Sequence, residues 1–227
     1  MQSKPLLSVS GVDVWFDSLL SNEADLHHYW QLLSCEEQAK AGRFMQERHR
    51  RRYVVCHGKM RLKLGAYLNV APASIGFARN AFGKPAVLDA SGRQPTLAFN
   101  LSHSADWMVL AVGQRPLGID LEVWDERHNL TTLAESVLAP EEKIYWHGLP
   151  AAERTPAFYR FWTRKESLVK AVGVGIGVGV AGIVTSTSGQ PCFRALPAAC
   201  QSDANWQLTD LALAPAMSAA LTVQAGD

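Results

Sequence analysis

The feature that most constrains the fold is a change of hydrophobic period along the chain, helical at first, then strand-like, then helical again. From Arg48 to Tyr67 the apolar positions Tyr53, Cys56, Met60, Leu64 and Tyr67 recur every three or four residues. This predicts an amphipathic helix with its basic residues off the buried stripe. Leu97–Leu101 and Trp107–Val112 read as strands, and the turn residues Gly113–Pro116 lead into a third at Leu117–Val123, the three together predicting a central β element. Ala157–Val172 returns to helical spacing, with Phe158, Phe161, Trp162, Leu168 and Val169 as buried positions and Gly173 as its end. Val12–Phe16 alternates as an opening strand, Ser34 reads as an N-cap, and Pro140 with Glu141 and Glu142 reads as a helix start. The expected class is α+β. The two long helices, each led by basic and aromatic residues, point to two similar halves, 1–115 and 116–227.

Composition excludes several classes. With 48% apolar and 19% charged residues over 227 positions, the chain has the makings of a filled core and not of a disordered segment. No stretch approaches the roughly 20 apolar residues that span a bilayer, and the opening Met1–Gly11 lacks a signal-peptide pattern, so a cytoplasmic location is expected. Cys35, Cys56, Cys192 and Cys200 are scattered without a CxxC pair and are expected to be reduced thiols. Twenty-two basic against 21 acidic residues leave +1, no advertisement for a polyanion partner. Yet Lys40, Arg43, Arg48, Arg50, Arg51, Arg52, Lys59, Arg61 and Lys63 cluster with Glu47 as the only acid among them, so an anion is expected to dock there.

Candidate chemistry lies further on. In a strand, Asp120 and Glu122 share one face while Ile119 and Leu121 take the other, their Cα atoms roughly 6.7 Å apart. Two carboxylates so placed can converge on magnesium, manganese or calcium, or can simply be solvated acids. Glu166 and Lys170 stand one helical turn apart, while Lys165 projects about 100° around the helix; the pair is either a surface ion pair or, beside Trp162, a third carboxylate for a cation. Asn100–Ser104 (NLSHS) reads as a polar turn after a strand, with His103 able to meet a phosphate, and Phe82–Pro85 (FGKP) as a loop carrying Lys84. The glycine-rich run from Gly173 to Val184 lacks GKS or GKT and follows a helix, so it is read as a helix cap and connector, not a phosphate loop.

Taken in order, FGKP, NLSHS, GIDLE at Gly118–Glu122 and WTRKESLVK at Trp162–Lys170 resemble the Sfp-type (surfactin-type) 4′-phosphopantetheinyl transferases, over about Arg43 to Gly175. The resemblance implies two similar α+β subdomains about a pseudo-two-fold axis, with coenzyme A in the cleft between them. It implies transfer of the phosphopantetheine arm to a serine of an apo acyl or peptidyl carrier protein, dependent on Mg2+, by a monomer. By the same resemblance Asp120, Glu122 and Glu166 hold the metal and Lys165 and Lys170 lie near the pyrophosphate. Ser102, His103, Lys84 and Arg52 meet the nucleotide, and Glu166 with Lys170 is catalytic. Two alternatives stand beside it: a nucleic-acid-binding module using the basic helix Arg48–Lys63, and an inactive relative that binds coenzyme A or a carrier without turnover.

Overall fold

A computed structural model of the chain describes residues 4–226 apart from 90, 126, 176, 178 and 202–204. In chain order the elements are β1 (Leu7–Val9), β2 (Val12–Ser18), α1 (Glu23–Leu32), α2 (Cys35–Ala41), α3 (Glu47–Leu68), β3 (Gly76–Arg79), β4 (Pro85–Leu88), β5 (Ala98–Ser104), β6 (Trp107–Gly113) and β7 (Leu117–Val123). There follow α4 (Leu130–Val137), α5 (Pro140–Gly148), α6 (Ala151–Val172), β8 (Val184–Thr185), β9 (Phe193–Ala195), β10 (Trp206–Asp210) and β11 (Met217–Gln224). The architecture is α+β.

Two antiparallel sheets lie at its centre, one in the order β1-β2-β6-β5, the other β10-β11-β7. Strand alternation decides what each face buries. Trp15 of β2 and Met108, Leu110 and Val112 of β6 face α3, meeting Val55, Cys56, Met60 and Leu64. The opposite face, Val12, Val14, Val109 and Ala111, packs on Leu117, Ile119 and Leu121 of β7 and on Leu221 and Val223 of β11. The second sheet is covered in turn by α6. Each sheet therefore carries one 22-residue helix on its outer face.

The three middle strands do not form one sheet. β5 and β6 pair with each other, but β7 pairs with β11, and the seam between β5 and β7 is bridged by side chains. Asn100 Oδ1 accepts the Ile119 N–H at 2.8 Å, Ser102 Oγ donates to Asp120 Oδ1 at 2.8 Å, and Ser104 Oγ donates to Glu122 Oε2 at 2.8 Å. NLSHS is thus strand and not turn: its backbone pairs with β6, and its even-numbered polar residues have partners across the seam.

Local signals account for most element ends. Ser34 and Glu37 form the expected capping box on α2. Gly173 closes α6 in the left-handed conformation at φ +78°. Ile176 and Val178 of the connector that follows lie outside the described residues. α6 begins at Ala151, six residues before the expected start: Pro156 lies inside it, and a proline ordinarily marks a helix boundary. Tyr53 and Trp162 are half-buried and Tyr67 is exposed, while Val54, Val55 and Arg61 of α3 and the polar run Thr163–Ser167 of α6 are buried. Each long helix therefore buries a broader surface, displaced from the one its spacing predicts. All four cysteines are free.

Gly118 is where β7 and α6 come closest. A Cβ there would overlap the Ser167 carbonyl oxygen and the Ala171 nitrogen, both backbone atoms that cannot swing away. Gly118→Ala should therefore force α6 off β7, costing about 1–3 kcal/mol or more. A thermal melt checks this, and an unchanged midpoint would refute the close packing.

Candidate active site

β7 and α6 meet at Gly118, and one turn further their polar faces open into a cavity. Strand alternation turns Asp120 and Glu122 away from the inter-sheet core, and the helical turn brings Trp162, Glu166 and Lys170 to the facing side. With Leu101, Ser102 and His103 of β5 they line a space of about 310 Å³.

Asp120, 2% exposed, accepts from Lys170 Nζ at 2.6 Å and from Ser102 Oγ at 2.8 Å, both on Oδ1. Lys170 Nζ also donates to Ser102 Oγ at 2.9 Å. Glu122 is held at both ends, by Ser104 Oγ on Oε2 and by Trp162 Nε1–H on Oε1 at 3.4 Å. Two buried oxygens, Asp120 Oδ2 and Glu166 Oε1, have no hydrogen-bond partner among the described residues. Burial, then the charge of Asp120, push Glu166 up to about 7, with Lys170 opposing and Glu122 adding to the rise. Burial and then Asp120 also raise Glu122, against its hydrogen bonds from Ser104 and Trp162. Three carboxylates thus share a site with one ammonium, an excess of negative charge that favours a cation. Ser104, in sequence only part of the NLSHS turn, and Trp162, in sequence only a neighbour of Glu166, are not singled out there as site residues, although the Asn100, Ser102, Ser104 alternation is a usable signal.

At the mouth, His103 is exposed and its pKa is lowered, first by the surrounding protein and then by the charges of Lys170, His57, Arg52 and Lys40. Cationic groups from α2, α3 and α6 therefore gather around one imidazole. Arg52 is held by Asp106 at 2.6 Å, an outlying pair whose acid is 39% exposed.

Two expected site residues are elsewhere. Lys165 does not reach the cavity: it is fully buried, paired with Glu142 at 2.7 Å and donating to the Val137, Val180 and Ile183 carbonyls. Its projection 100° from Glu166 points it into the interior. Lys84 donates to the Leu117 and Ala171 carbonyls at 3.1 and 2.7 Å, tying the FGKP loop to β7 and α6, and burial brings its pKa down to about 8.

Six of the nine residues of the basic run are engaged in ion pairs, which weakens the footing of a nucleic-acid module. Arg50 pairs with Glu47, Arg51 with Glu23, Lys59 and Lys63 with Asp17, and the buried Arg61 with Glu37 at 2.7 Å. Burial alone would raise the pKa of Glu37, but hydrogen bonds from His57 and the Ser34 N–H, with the Arg61 charge, outweigh it and bring it down to about 2. A carboxylate lowered on folding stabilises above its unfolded pKa, and that stability is lost as pH falls. Stability should decline between about pH 4.5 and pH 2, and Glu37→Gln should flatten this slope and cost roughly 3 kcal/mol at neutral pH. Denaturant melts across that range decide it.

Two family models match the chain. Residues 116–223 match a family model described as the 4′-phosphopantetheinyl transferase superfamily, and residues 20–115 one described as 4′-phosphopantetheinyl transferase, N-terminal. The chain is 37% identical over 166 residues to 4′-phosphopantetheinyl transferase HetI of Nostoc sp., covering 73% of this chain and 70% of that one. It is 26% identical over 165 residues to 4′-phosphopantetheinyl transferase Sfp of Bacillus subtilis, with the same coverages of 73% and 70%. The crystal structure of Thermotoga maritima holo-[acyl-carrier-protein] synthase superposes with a TM-score of 0.37 at 23% identity, over 48% of this chain and 62% of that one.

Proposed function

We propose a function from one premise: the chain belongs to the 4′-phosphopantetheinyl transferase superfamily. Its cleft transfers the 4′-phosphopantetheine arm of coenzyme A to a serine hydroxyl of an apo acyl or peptidyl carrier protein and releases adenosine 3′,5′-bisphosphate. The observation that carries this reading is the cluster of the buried Asp120 and Glu166 with the half-buried Glu122, two of its oxygens lacking partners among the described residues and Lys170 beside them.

That donor set fits Mg2+. Among the described residues no group of three or more His, Cys, Asp or Glu side chains is placed to hold a metal ion by itself. Magnesium does not need one, being commonly held by one or two carboxylates with water and substrate phosphates. Asp120, Glu122 and Glu166 would hold it, and when bound it supplies neutralisation of the charge developing on the diphosphate.

The chain's own groups do the rest. Glu166, poised near 7, takes the proton of the incoming serine, directly or through a water, at the oxygen the fold leaves without a partner. Lys170 offers its ammonium to the departing phosphate. His103 meets the nucleotide phosphates at the mouth. Arg52 exchanges the weak pair with Asp106 for the 3′-phosphate, a charge-assisted contact of greater strength. Ser102 and Lys84 act through their neighbours, the first fixing Asp120 and Lys170, the second clamping α6 to β7.

The division into 1–115 and 116–227, related by a pseudo-two-fold axis, is supported by the change of family model at residue 116 and by one helix covering each sheet. An Sfp-type enzyme is the subtype we favour, since both halves lie in one chain. We take it to work as a cytoplasmic monomer; no helix among the described residues is long and apolar enough to cross a membrane. The test is intact-mass analysis of apo carrier proteins incubated with the enzyme, coenzyme A and magnesium. Several carriers should each gain the mass of one arm; no gain on any acyl or peptidyl carrier would overturn the reading.

A further inference from the structure

We propose that a second cavity binds a small organic monocarboxylate with an apolar or aromatic body, gripped by Arg160. The cavity, about 380 Å³, lies between the head of α6, Tyr145 of α5 and the start of β11, and shares no lining residue with the transferase cleft. Its volume is that of a small-molecule site.

Arg160 supplies the recognition. Its Nε and Nη2, the two nitrogens whose N–H bonds run parallel along one edge of the guanidinium, are buried and have no hydrogen-bond partner among the described residues. Buried polar groups are almost always paired, and a charged one left unpaired is costly. Arg164, one turn further along α6, shows what this edge takes. Its Nε donates to Asp210 Oδ1 at 2.7 Å and its Nη2 to Asp210 Oδ2 at 2.5 Å. Arg160 borders the cavity with this edge unpartnered among the described residues, and a carboxylate is the acceptor that matches it in shape and charge.

The walls define the rest of the ligand. Trp124, Tyr145, Leu149 and Met217 offer aromatic and aliphatic surface suited to an apolar body. Asp210 and Glu153 also border the cavity, and their negative charge weighs against a dianion such as a phosphate monoester more than against a monoanion. Glu153 does not itself close the fork: it stands seven residues back, about 10 Å along the helix axis.

Titration of the full-length chain with 3-phenylpropanoate, followed by NMR, tests this. Saturable binding at roughly millimolar affinity or tighter is expected. The neutral 3-phenylpropanamide and the dianionic phenyl phosphate should each bind about ten-fold more weakly, and Arg160→Gln should lose a similar factor for the carboxylate. Carrier-protein transfer should be unchanged in Arg160→Gln, because Arg160 lies outside the cleft. Absence of saturable binding, equal binding of the amide or the phosphate, or undiminished binding in Arg160→Gln would each overturn the proposal. If Arg160→Gln melts early, Met217→Trp decides, since it fills the cavity and leaves Arg160 in place; undiminished binding there overturns the site.

Discussion

Asp120→Asn should slow arm transfer by at least roughly 10²–10³-fold while the protein still folds. The amide keeps an oxygen for Ser102 Oγ, so the polar seam between β5 and β7 survives. What disappears is the charge, and with it the buried Oδ2 that no group among the described residues satisfies. Lys170, now 2.6 Å from Asp120, would lose its carboxylate and turn to Glu166 in the same cavity. The neighbours also report the change. Asp120 raises both Glu166 and Glu122, so removing its negative charge should let both ionise at lower pH. The residual activity should therefore show its acid limb shifted downward. Steady-state transfer followed by intact mass across pH measures both effects, and a rate within about three-fold of wild type would remove Asp120 from the site.

How much of this was legible in the sequence depends on the distance over which each residue is decided. Asp120 and Glu122 share a face because strands alternate, and Glu166 and Lys170 share one because helices turn every 3.6 residues. Both facts are local, and both pairs arrive in one cavity. The positions of Lys165 and Lys84 are not local. Their partners lie 15–28 residues away for one and 33 and 87 away for the other, so no spacing rule foretells that each ammonium is engaged by backbone carbonyls. The same limit applies to β5. Ser102, His103 and Ser104 have turn-like composition, but their backbone pairs with β6, and β7, 18 residues on, supplies partners for the two serine hydroxyls. The basic run misled for a related reason: its acids, Asp17, Glu23, Glu37 and Asp106, come from other elements. Much of the charge clustered in sequence is neutralised in space.

Lys165→Met is expected to damage the protein through its fold and not through its chemistry, with a loss of about 3–5 kcal/mol. Lys165 and Glu142 are both fully buried and 2.7 Å apart. Glu142 is otherwise complete, accepting from the Ala139 N–H at 2.9 Å and from Thr185 N–H and Oγ1 at 2.8 and 2.9 Å. The ammonium joins the end of α4, the start of α5, the middle of α6 and the turn before β8 through a single point. Burial lowers the Lys165 pKa and Glu142 opposes that shift, so the ion pair persists only while both members are present. Methionine would leave a buried carboxylate without its counter-charge and take the ammonium away from three carbonyls, of which Val180 keeps the Ile183 N–H, a large fraction of the 5–15 kcal/mol that holds a domain together. The melting temperature should fall by roughly 10 °C or more. Below the melt, the surviving folded enzyme should keep its KM for coenzyme A, because Lys165 never reaches the cleft. A lysine that met the pyrophosphate would behave in the opposite way, with an unchanged melt and a raised KM. Pairing the melt with coenzyme A kinetics separates the two roles. Glu142→Gln supplies the control, since it should reproduce the loss of stability from a residue on a different helix.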